Sequence, residues 1–551
     1  MDKPLRRQLF RGFWATSLGT LASRVLGLAR DVATASLLGL GEGGVMDAFV
    51  VAFRLPNLPR KLFGEGALAA SLLPVFAQEL ERDRRAAWRL LSLLLVVVAA
   101  GLTVCVVLGE VICLGLWWLG GAEGDAAHVL GLSAVMLPYL VVICLAAQVS
   151  AALQGLFEFR VPAVAPLLLN ICWLATAWFI APQLAETRIG QAYVIAAAVV
   201  VSGCLQLAIQ LPALMRLGFR FEIDRQAWPG VRSIGRSLLP VTMGLAVTQL
   251  NTFADSLIAW GLAAEPGGRQ TIAWLGDAVS YPLQSGAAAA IYYGERFYQL
   301  PVGLLGVAIA TVVYPLLGRH AARGDRQQVG ADLTLGLRLV WFTALPAGVG
   351  IVLLAQPITR VLFERGSFTS DDAHRAATMI ACYATGVWAY CALPLLVRGY
   401  YAVGQRSTPA RVGMAVVGLN LLLNLTLIWP LAERGLALAT SLAAAVQVAV
   451  LVLLLGKAGV PLDWPGLKLG VMKGTLATGL MAACVLSAVE YYPAEELSRF
   501  FQTLRLGTII ALGIAVYASV SWILRMEELS MLLPPLRTAG SESAESQPIE
   551  V

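Results

Sequence analysis

Seven basic side chains lie inside apolar runs of the sequence, where a charge is costly to keep. A charged side chain at the centre of a bilayer costs roughly 2.5–3.5 kcal/mol on insertion scales, so a protein retains several only with partners or a water-filled cavity. Acidic residues near them are fewer, and the planar guanidinium fork suits phosphate. These residues therefore predict a cavity that binds an anion. The seven are Arg24, Arg30, Arg54, Arg60, Lys61, Arg296 and Arg338.

Helical depth brings several of these cations to a similar level. At about 1.5 Å per residue, Arg24 lies about 18 Å from the N-terminal end of its run, and Arg296 about 12 Å from the opposite face. Arg30 and Asp31 are adjacent in the sequence, so we expect their side chains to diverge. Internal ion pairing is the alternative to ligand binding. Arg338 is near a helix end, where it can reach the interface, and receives no role. The nearby acids are Asp31, Asp47, Glu65 and Glu295.

A second group of polar residues offers oxygen atoms instead of cations. Asp255 lies deep in one apolar run, and Asn420 and Asn424 are four residues apart on one face of another. Thr440 and the backbone carbonyl of Leu436 come early in the next run. One carboxylate with amide, hydroxyl and carbonyl oxygens is a donor set for a hard cation. Hydrogen bonding between helices explains the same residues equally well, and both interpretations stay open here.

The elements that must position these residues are long apolar helices. The chain has 551 residues, of which 58% are hydrophobic and only 13% charged, against about 25% charged in soluble domains. At about 20 apolar residues per span, the sequence predicts an all-α polytopic membrane protein with about fourteen transmembrane helices. The predicted spans are 12–40, 45–79, 87–119, 127–153, 162–181, 189–215, 234–261, 288–317, 332–355, 372–402, 409–430, 435–456, 467–490 and 503–525.

The distribution of Lys and Arg predicts the orientation. Of the 40 Lys and Arg residues, 25 fall in segments on one side of the predicted spans, eight on the other and seven inside them. Positive residues favour the cytoplasmic side, so both termini are predicted to be cytoplasmic. The acidic tail at 538–551 is predicted to be disordered. The eight cysteines form no Cys-x-x-Cys pair and lie in apolar runs, so we interpret them as apolar side chains.

The sequence contains an internal repeat, in which stretches of the first half resemble stretches of the second half. The stretch from Gly155 through Pro162 to Asn170 resembles the stretch from Gly399 through Pro409 to Asn420. The stretch 55–74 likewise resembles 300–315, and in both pairs the two similar stretches lie six predicted spans apart. Repeated halves are typical of transporters whose site lies between lobes. The sequence thus predicts two pseudo-symmetric six-helix lobes, 12–217 and 234–456, and a two-helix C-terminal extension at 467–525.

Four motifs resemble the MurJ (MviN) family of lipid II flippases, in the multidrug/oligosaccharidyl-lipid/polysaccharide exporter superfamily. The resemblance runs in order from about residue 12 to 525. The motifs are SRVLGLARD (23–31), DAFVVAFRLPNLPRKLFGEGA (47–67), YYGERFYQLPVGLLGVAIAT (292–311) and ITRVLFERGSFTSDDA (358–373).

The resemblance implies a function and a set of site residues. It implies transfer of lipid II, an undecaprenyl-diphosphate-linked muropeptide, from the cytoplasmic to the periplasmic leaflet of the inner membrane for cell-wall synthesis. It implies a sodium site at Asp255, Asn420 and Thr440; Asn424 stands where some relatives have Asp, which makes this set less acidic. The last two helices would form a groove for the lipid tail. The implied substrate-binding residues are Arg24, Arg30, Arg54, Arg60, Glu65 and Arg296, with Asp31 and Asp47 as gating or supporting residues.

The sequence also limits the alternatives. No nucleotide-binding or hydrolase motif is present, so we expect no enzyme activity, no cofactor beyond a sodium ion, and no nucleic-acid partner. The expected partners are lipid II, membrane lipids and the cell-wall synthesis machinery. The rivals are a flippase for another polyprenyl-linked glycan, a drug or cation antiporter, and a cell-wall scaffold that transports nothing. The segment 262–287 is longer than the family pattern, and a short amphipathic helix is predicted through Trp274 and Leu275.

Overall fold

Helices account for nearly all of the ordered secondary structure. The computed structural model describes residues 3–60, 67–119, 124–265, 270–272, 279–491 and 498–532. The helices of the first half are α1 (Lys3–Leu38), α2 (Val45–Pro59), α3 (Ala67–Arg82), α4 (Arg84–Leu119), α5 (Gly124–Met136), α6 (Tyr139–Gly155), α7 (Arg160–Ala175), α8 (Ala181–Leu184), α9 (Arg188–Arg216) and α10 (Trp228–Gly261).

The second half of the chain continues the same pattern. A parallel pair of short strands, β1 (Ala263–Ala264) and β2 (Leu283–Gln284), separates the two sets of helices. The remaining helices are α11 (Ala287–Pro301), α12 (Val307–Ala322), α13 (Arg326–Phe363), α14 (Ser370–Ala384), α15 (Val387–Ala402), α16 (Ser407–Leu431), α17 (Glu433–Lys457), α18 (Trp464–Tyr491), α19 (Arg499–Ile523) and α20 (Glu527–Leu532).

The predicted all-α membrane fold is confirmed. Among the described residues, ten helices are long and apolar enough to cross a membrane, and a pair bent by 41°, α14 with α15, makes an eleventh candidate. The total of fourteen is consistent with these counts and stays a prediction. Two predicted spans contain a π-helical turn, Thr176–Ile180 and Val302–Gly306. The second of these turns follows Pro301, which lacks the N–H that a regular helix needs.

The predictions for two connecting segments lie mostly outside the described residues. In the segment 262–287, the described parts contain the strand pair and an antiparallel bridge between Thr271 and Ser280. The helix predicted through Trp274 and Leu275 falls outside the described residues, and so does the tail 538–551. The division into lobes at 12–217 and 234–456 likewise stays a prediction.

Contacts divide the chain into two compact units. The first unit comprises the described residues of Met1–Tyr298, Ala355–Tyr383 and Ala410–Gln447. Its core packs α2 against aromatic and small side chains: Phe49 and Phe53 lie 5.5 and 5.3 Å from the ring of Trp173. Ala287–Ala290 at the start of α11 are all fully buried. Small side chains allow helix backbones to approach closely, which draws α11 into the core of this unit.

The second unit comprises the described residues of Gln299–Leu354, Ala384–Pro409 and Val448–Val551. In it, α18 packs along α19, and the Tyr517 hydroxyl donates to the carbonyl of Phe342 at 2.6 Å. Lys473 donates to the carbonyl of Leu524 at 2.9 Å. The first bond joins α19 to α13, and the second joins α18 to the C-terminal end of α19.

Arg338, which received no role from the sequence, forms an ion pair with two glutamates of α20. Its Nε donates to Glu528 at 2.7 Å, and its Nη2 lies 3.1 Å from Glu527. Glu528 is 2% exposed, whereas the side chain of Glu527 is 69% exposed. The sequence signal was missing because the partners lie nearly 190 residues away, on α20. The ion pair fastens α20 to α13 within the second unit.

We expect Glu528→Ala to lower the thermal stability of the purified protein much more than Glu527→Ala. The first change leaves a charged guanidinium without its buried partner, which costs about 1–3 kcal/mol, whereas an exposed pair contributes about 0–1 kcal/mol. Thermal unfolding in detergent measures both variants. Equal midpoints for the two variants would contradict the assignment of Glu528 as the main partner of Arg338.

Candidate functional site

A buried network links α1 to α11, and we call it the arginine network: Arg30, Asp31, Tyr292 and Arg296. Arg30 donates to Asp31 Oδ1 through Nη2 at 2.8 Å and through Nε at 3.1 Å. Arg296 Nε lies 3.2 Å from Asp31 Oδ2, and its Nη2 donates to the Tyr292 hydroxyl at 2.6 Å. That hydroxyl donates in turn to Asp31 at 3.0 Å. Asp31 therefore holds two arginines from two helices.

The expectation that Arg30 and Asp31 diverge is wrong. The guanidinium is long enough to fold back along the helix onto the neighbouring carboxylate. Two contacts from α7 hold it there: Asn170 Oδ1 accepts from Arg30 Nη1 at 3.3 Å, and the Trp173 ring lies 4.6 Å from its Cζ. A cation over an indole face is stabilised by the ring quadrupole. The orientation of Arg30 is thus fixed before any ligand arrives.

Arg54 belongs to a second buried pair, on α2. Its Nη2 donates to Glu295 at 2.9 Å, and both side chains are less than a tenth exposed. Its Nη1 donates to the backbone carbonyl of Thr252 in α10. Because Glu295 precedes Arg296 on α11, this pair adjoins the arginine network. Internal ion pairing, the alternative weighed from the sequence, thus applies to Arg30 and Arg54.

The remaining predicted cations are more accessible. Arg24 is exposed, and within the described part of the chain no residue forms a hydrogen bond or ion pair with it. Arg60 Nε donates to Asn57 at 2.7 Å, one turn back on α2. The side chain of Arg296 is 31% exposed. Glu65 and Lys61 lie outside the described residues.

Asp47 holds the N-terminus of α11. Its two carboxylate oxygens accept from the backbone N–H groups of Gly286 and Ala289, at 2.6 and 2.7 Å. A carboxylate at a helix N-terminus satisfies otherwise unpaired donors and favours the helix dipole. Asp47 is 2% exposed, so water does not replace these bonds. It supports the helix that carries Tyr292, Glu295 and Arg296.

Further bonds connect the segments that surround the N-terminus of α11 in the first unit. Arg375 of α14 pairs with Glu433 of α17 at 2.8 Å and donates to the Ser285 carbonyl, also at 2.8 Å. Ser285 Oγ donates to the carbonyl of Gly41. Gly286 has φ +92°, and a Cβ there would lie 2.8 Å from the Gly41 Cα. This close approach requires glycine and brings α11 up to the chain that precedes α2.

The predicted cation ligands come together, and we call them the oxygen cluster: Asp255, Asn420, Asn424, Thr440 and the Leu436 carbonyl. Asn424 Nδ2 lies 2.6 Å from Asp255 Oδ1, and Thr440 Oγ1 lies 3.3 Å from Asp255 Oδ2. Thr440 Oγ1 is 3.2 Å from the carbonyl of Leu436. The Asn420 amide lies 3.0 Å from Asn424 Nδ2 and 3.3 Å from Thr440 Oγ1.

One atom of the oxygen cluster bears on cation binding. Asn424 Oδ1 is buried and has no hydrogen-bond partner among the described residues. A buried unpaired oxygen is costly unless an ion or water occupies the position it faces. The donor set of one carboxylate with neutral oxygens fits a monovalent hard cation. Hydrogen bonds between helices account for the other contacts.

The sequence interpretation missed several residues of both groups. Tyr292 and Asn251 each lie four residues before a predicted site residue, Arg296 and Asp255, and Asn251 Nδ2 lies 3.5 Å from Asp255. That spacing was the available signal. Asn170 appeared only in the internal repeat. Its counterpart there is Asn420, and each asparagine contacts a predicted site residue on another helix, Arg30 and Thr440 respectively.

The arrangement leaves a surplus of positive charge. Among the described residues of the candidate site, the five arginines Arg24, Arg30, Arg54, Arg60 and Arg296 stand against the four carboxylates Asp31, Asp47, Glu295 and Asp255. Arg30 and Arg54 are locked in buried pairs, Arg24 is exposed, and the side chain of Arg296 is 31% exposed although it also pairs with Asp31. Within a low-dielectric region such a surplus favours an anionic ligand.

The chain is similar to one protein family along most of its length. A family model described as "Lipid II flippase MurJ" matches residues 35–506. A probable lipid II flippase MurJ of Vibrio cholerae serotype O1 is 31% identical over 95% of this chain and 98% of its own length. The corresponding protein of Haemophilus influenzae is 30% identical over 93% of this chain and 99% of its own.

Solved structures share the fold. A structure titled "Lipid II flippase MurJ, inward closed conformation" superposes with a TM-score of 0.71 at 21% identity, covering 92% of this chain and 98% of that one. An inward-facing multidrug resistance MATE family transporter of the MOP superfamily gives a TM-score of 0.57 at 14% identity, with 79% and 95% covered. These likenesses establish a common architecture.

Proposed function

Because the chain belongs to the lipid II flippase MurJ family, we propose that it carries lipid II from the cytoplasmic to the periplasmic leaflet of the bacterial inner membrane. The observation that supports this most directly is the surplus of arginine charge on α1, α2 and α11. A diphosphate-linked lipid headgroup supplies the matching anion, since arginine binds phosphate through paired, charge-assisted hydrogen bonds.

The arginines have different roles in the proposed binding of lipid II. Arg24, which is exposed, and Arg296, whose side chain is 31% exposed, would bind the diphosphate. Arg54 is balanced by Glu295, whereas Arg30 and Arg296 share the single carboxylate of Asp31, so one of their two charges stays uncompensated. Alternating access then exposes the bound head to the opposite side, as expected for this architecture. The chain acts as a transporter and not as an enzyme.

The polyprenyl tail stays in contact with the lipid-facing side of the protein. In the second unit, a cavity of about 530 Å³ is lined by five residues of α18: Met472, Thr475, Leu476, Gly479 and Leu480. Four of these residues carry no charge or hydroxyl, and the groove suits a hydrocarbon chain. This supports a role of α18 in holding the tail, and the role of α19 stays a prediction.

The oxygen cluster would hold a sodium ion, whose gradient supplies energy for the cycle. Asp255, Thr440, the Leu436 carbonyl and the unpaired Asn424 Oδ1 are the ligands that fit. The cluster adjoins the arginine network through α10, because Thr252 accepts from Arg54 one turn before Asp255. A shift of α10 on ion binding therefore changes the position of Arg54 and its partner Glu295.

We expect sodium to stabilise the native chain and to leave Asp255→Asn unaffected. An ion present at ten times its Kd adds about 1.4 kcal/mol to stability, which thermal unfolding in sodium chloride against choline chloride measures. The matched control is Asp332→Asn, which removes a buried carboxylate from the second unit and should keep the sodium response. If sodium still stabilised the Asp255→Asn variant, the oxygen cluster would serve only to hydrogen-bond the helices to one another.

The proposal also covers the orientation of the chain in the membrane and its partners. Both termini face the cytoplasm, on the strength of the Lys and Arg bias. Beyond lipid II and membrane lipids, the cell-wall synthesis machinery is the partner class that would use the exported precursor. The proposal includes no nucleic-acid partner.

The deciding experiment is complementation. The chain is expressed in a bacterium depleted of its own lipid II flippase, and the accessibility of lipid II in the outer leaflet is followed. Restored accessibility supports the proposal. A chain that inserts correctly but moves no lipid II would point to another polyprenyl-linked glycan or to a scaffold, and testing a second lipid-linked glycan separates those two.

A further inference from the structure

The connection between α9 and α10 is an ordered surface segment. Leu217 accepts from Arg84 Nη2 at 2.7 Å, and the N–H of Glu222 donates to Ser92 Oγ at 3.1 Å. The ring of Phe219 packs edge-on against Trp88 at 5.6 Å. Two hydrogen bonds and one aromatic contact therefore fix the segment along α4. Its fixed face determines which side chains point away from the protein.

The acidic residues of this segment form ion pairs with arginines of α4. Glu222 lies 3.3 Å from Arg85 and 3.5 Å from Arg89, and Asp224 lies 3.1 Å from Arg89. Because alternate residues of an extended chain point in opposite directions, Phe221 and Ile223 face outward. They are 61% and 58% exposed, and Trp228 at the start of α10 is 52% exposed.

Four arginines flank these apolar side chains along the chain. All four are exposed, and within the described part of the chain none has a carboxylate at ion-pair distance. They are Arg216, Arg220, Arg225 and Arg232. We name the whole set, with Phe221, Ile223 and Trp228, the linker surface. It combines unneutralised positive charge with aromatic and aliphatic side chains.

The position of the linker surface decides what it contacts. It joins the ends of α9, which is long and apolar enough to cross a membrane, and α10, so it lies at a membrane face. Aromatic side chains are enriched at the interface, and clustered arginines next to a span attract anionic lipid. A soluble acidic partner would match the charge but not the exposed apolar side chains at this depth.

We propose that the linker surface binds the anionic phospholipid headgroups of the adjoining leaflet, with Phe221, Ile223 and Trp228 inserted at the headgroup boundary. The four arginines contact phosphate groups, and the apolar side chains fix the depth of the segment. This interaction is separate from lipid II transport and does not depend on it.

The test measures phospholipid binding to the full chain in detergent by native mass spectrometry. Dioctanoyl phosphatidylglycerol is compared with dioctanoyl phosphatidylcholine. We expect the native chain to prefer the anionic lipid, and R216Q/R220Q/R225Q/R232Q to lose at least about tenfold of that preference. The matched control is R319Q/R323Q/R406Q/R525Q, which removes four exposed arginines of the second unit and should retain the preference.

Several outcomes would overturn the proposal. Equal loss in both quadruple variants would show an effect of net charge alone, and displacement of the lipid by equimolar inorganic phosphate would indicate a simple phosphate site. A readout on the native chain guards against variants that fail to fold. Hydrogen exchange of residues 217–228 should slow in nanodiscs containing phosphatidylglycerol relative to phosphatidylcholine. Unchanged exchange there would mean that the surface serves a soluble partner instead.

Discussion

Arg296→Ala is expected to abolish growth when it is the sole copy, because lipid II transfer falls at least about 100-fold. Two charge-assisted bonds to a phosphate contribute about 3 kcal/mol or more together, and each 1.4 kcal/mol is a factor of about ten. The partly exposed guanidinium of Arg296 is the group of the arginine network best placed to make them. Leaflet accessibility of lipid II measures the effect.

Two further variants sharpen this test. Arg296→Lys keeps the charge but not the planar fork, so we expect an intermediate loss of roughly tenfold. Arg398→Ala is the control, since Arg398 donates to Thr311 in the second unit and faces a tyrosine ring rather than the arginine network. If correctly inserted Arg296→Ala protein supported growth at the native rate, diphosphate binding by this residue would be refuted.

Asp47→Ala is expected to cost both stability and transport. The change leaves two buried N–H groups, those of Gly286 and Ala289, without acceptors, at about 1–3 kcal/mol each. Because α11 carries Tyr292, Glu295 and Arg296, its displacement should lower transport about 10- to 100-fold. Asp47→Asn retains one acceptor oxygen and should fall between. Thermal unfolding, together with lipid II accessibility, gives both effects.

An exposed helix cap provides the comparison for Asp47. Asp372 accepts from the N–H of Thr369 at 3.0 Å at the start of α14, where Thr369 is exposed and Asp372 is half-buried, so that the bond is open to solvent. Water replaces that bond when Asp372 is changed to alanine, so the cost should be about 1 kcal/mol with little change in transport. Equal losses in Asp47→Ala and Asp372→Ala would mean that burial of the Asp47 cap has no special importance.

The sequence by itself determined the class of the protein and the residues of the candidate site. Fourteen apolar runs predicted helices whose observed outer ends differ by up to nine residues where they are described, because the bilayer demands long apolar segments. The cost of charge in lipid made each intramembrane arginine conspicuous. The spacing of Asn420 and Asn424, with Asp255 and Thr440, predicted a cluster that the structure brings within hydrogen-bonding distance.

Tertiary structure alone decided how these residues are paired. Neighbouring positions suggested that Arg30 and Asp31 diverge, but Asn170, Trp173 and Tyr292, from distant parts of the chain, hold the two together. Asp47 became a helix cap only because α11 folds back against α2, and Arg338 found its partner nearly 190 residues away. Periodicity and charge cost act along one helix and are visible in sequence. A side-chain pair between helices depends on packing, which no local pattern records.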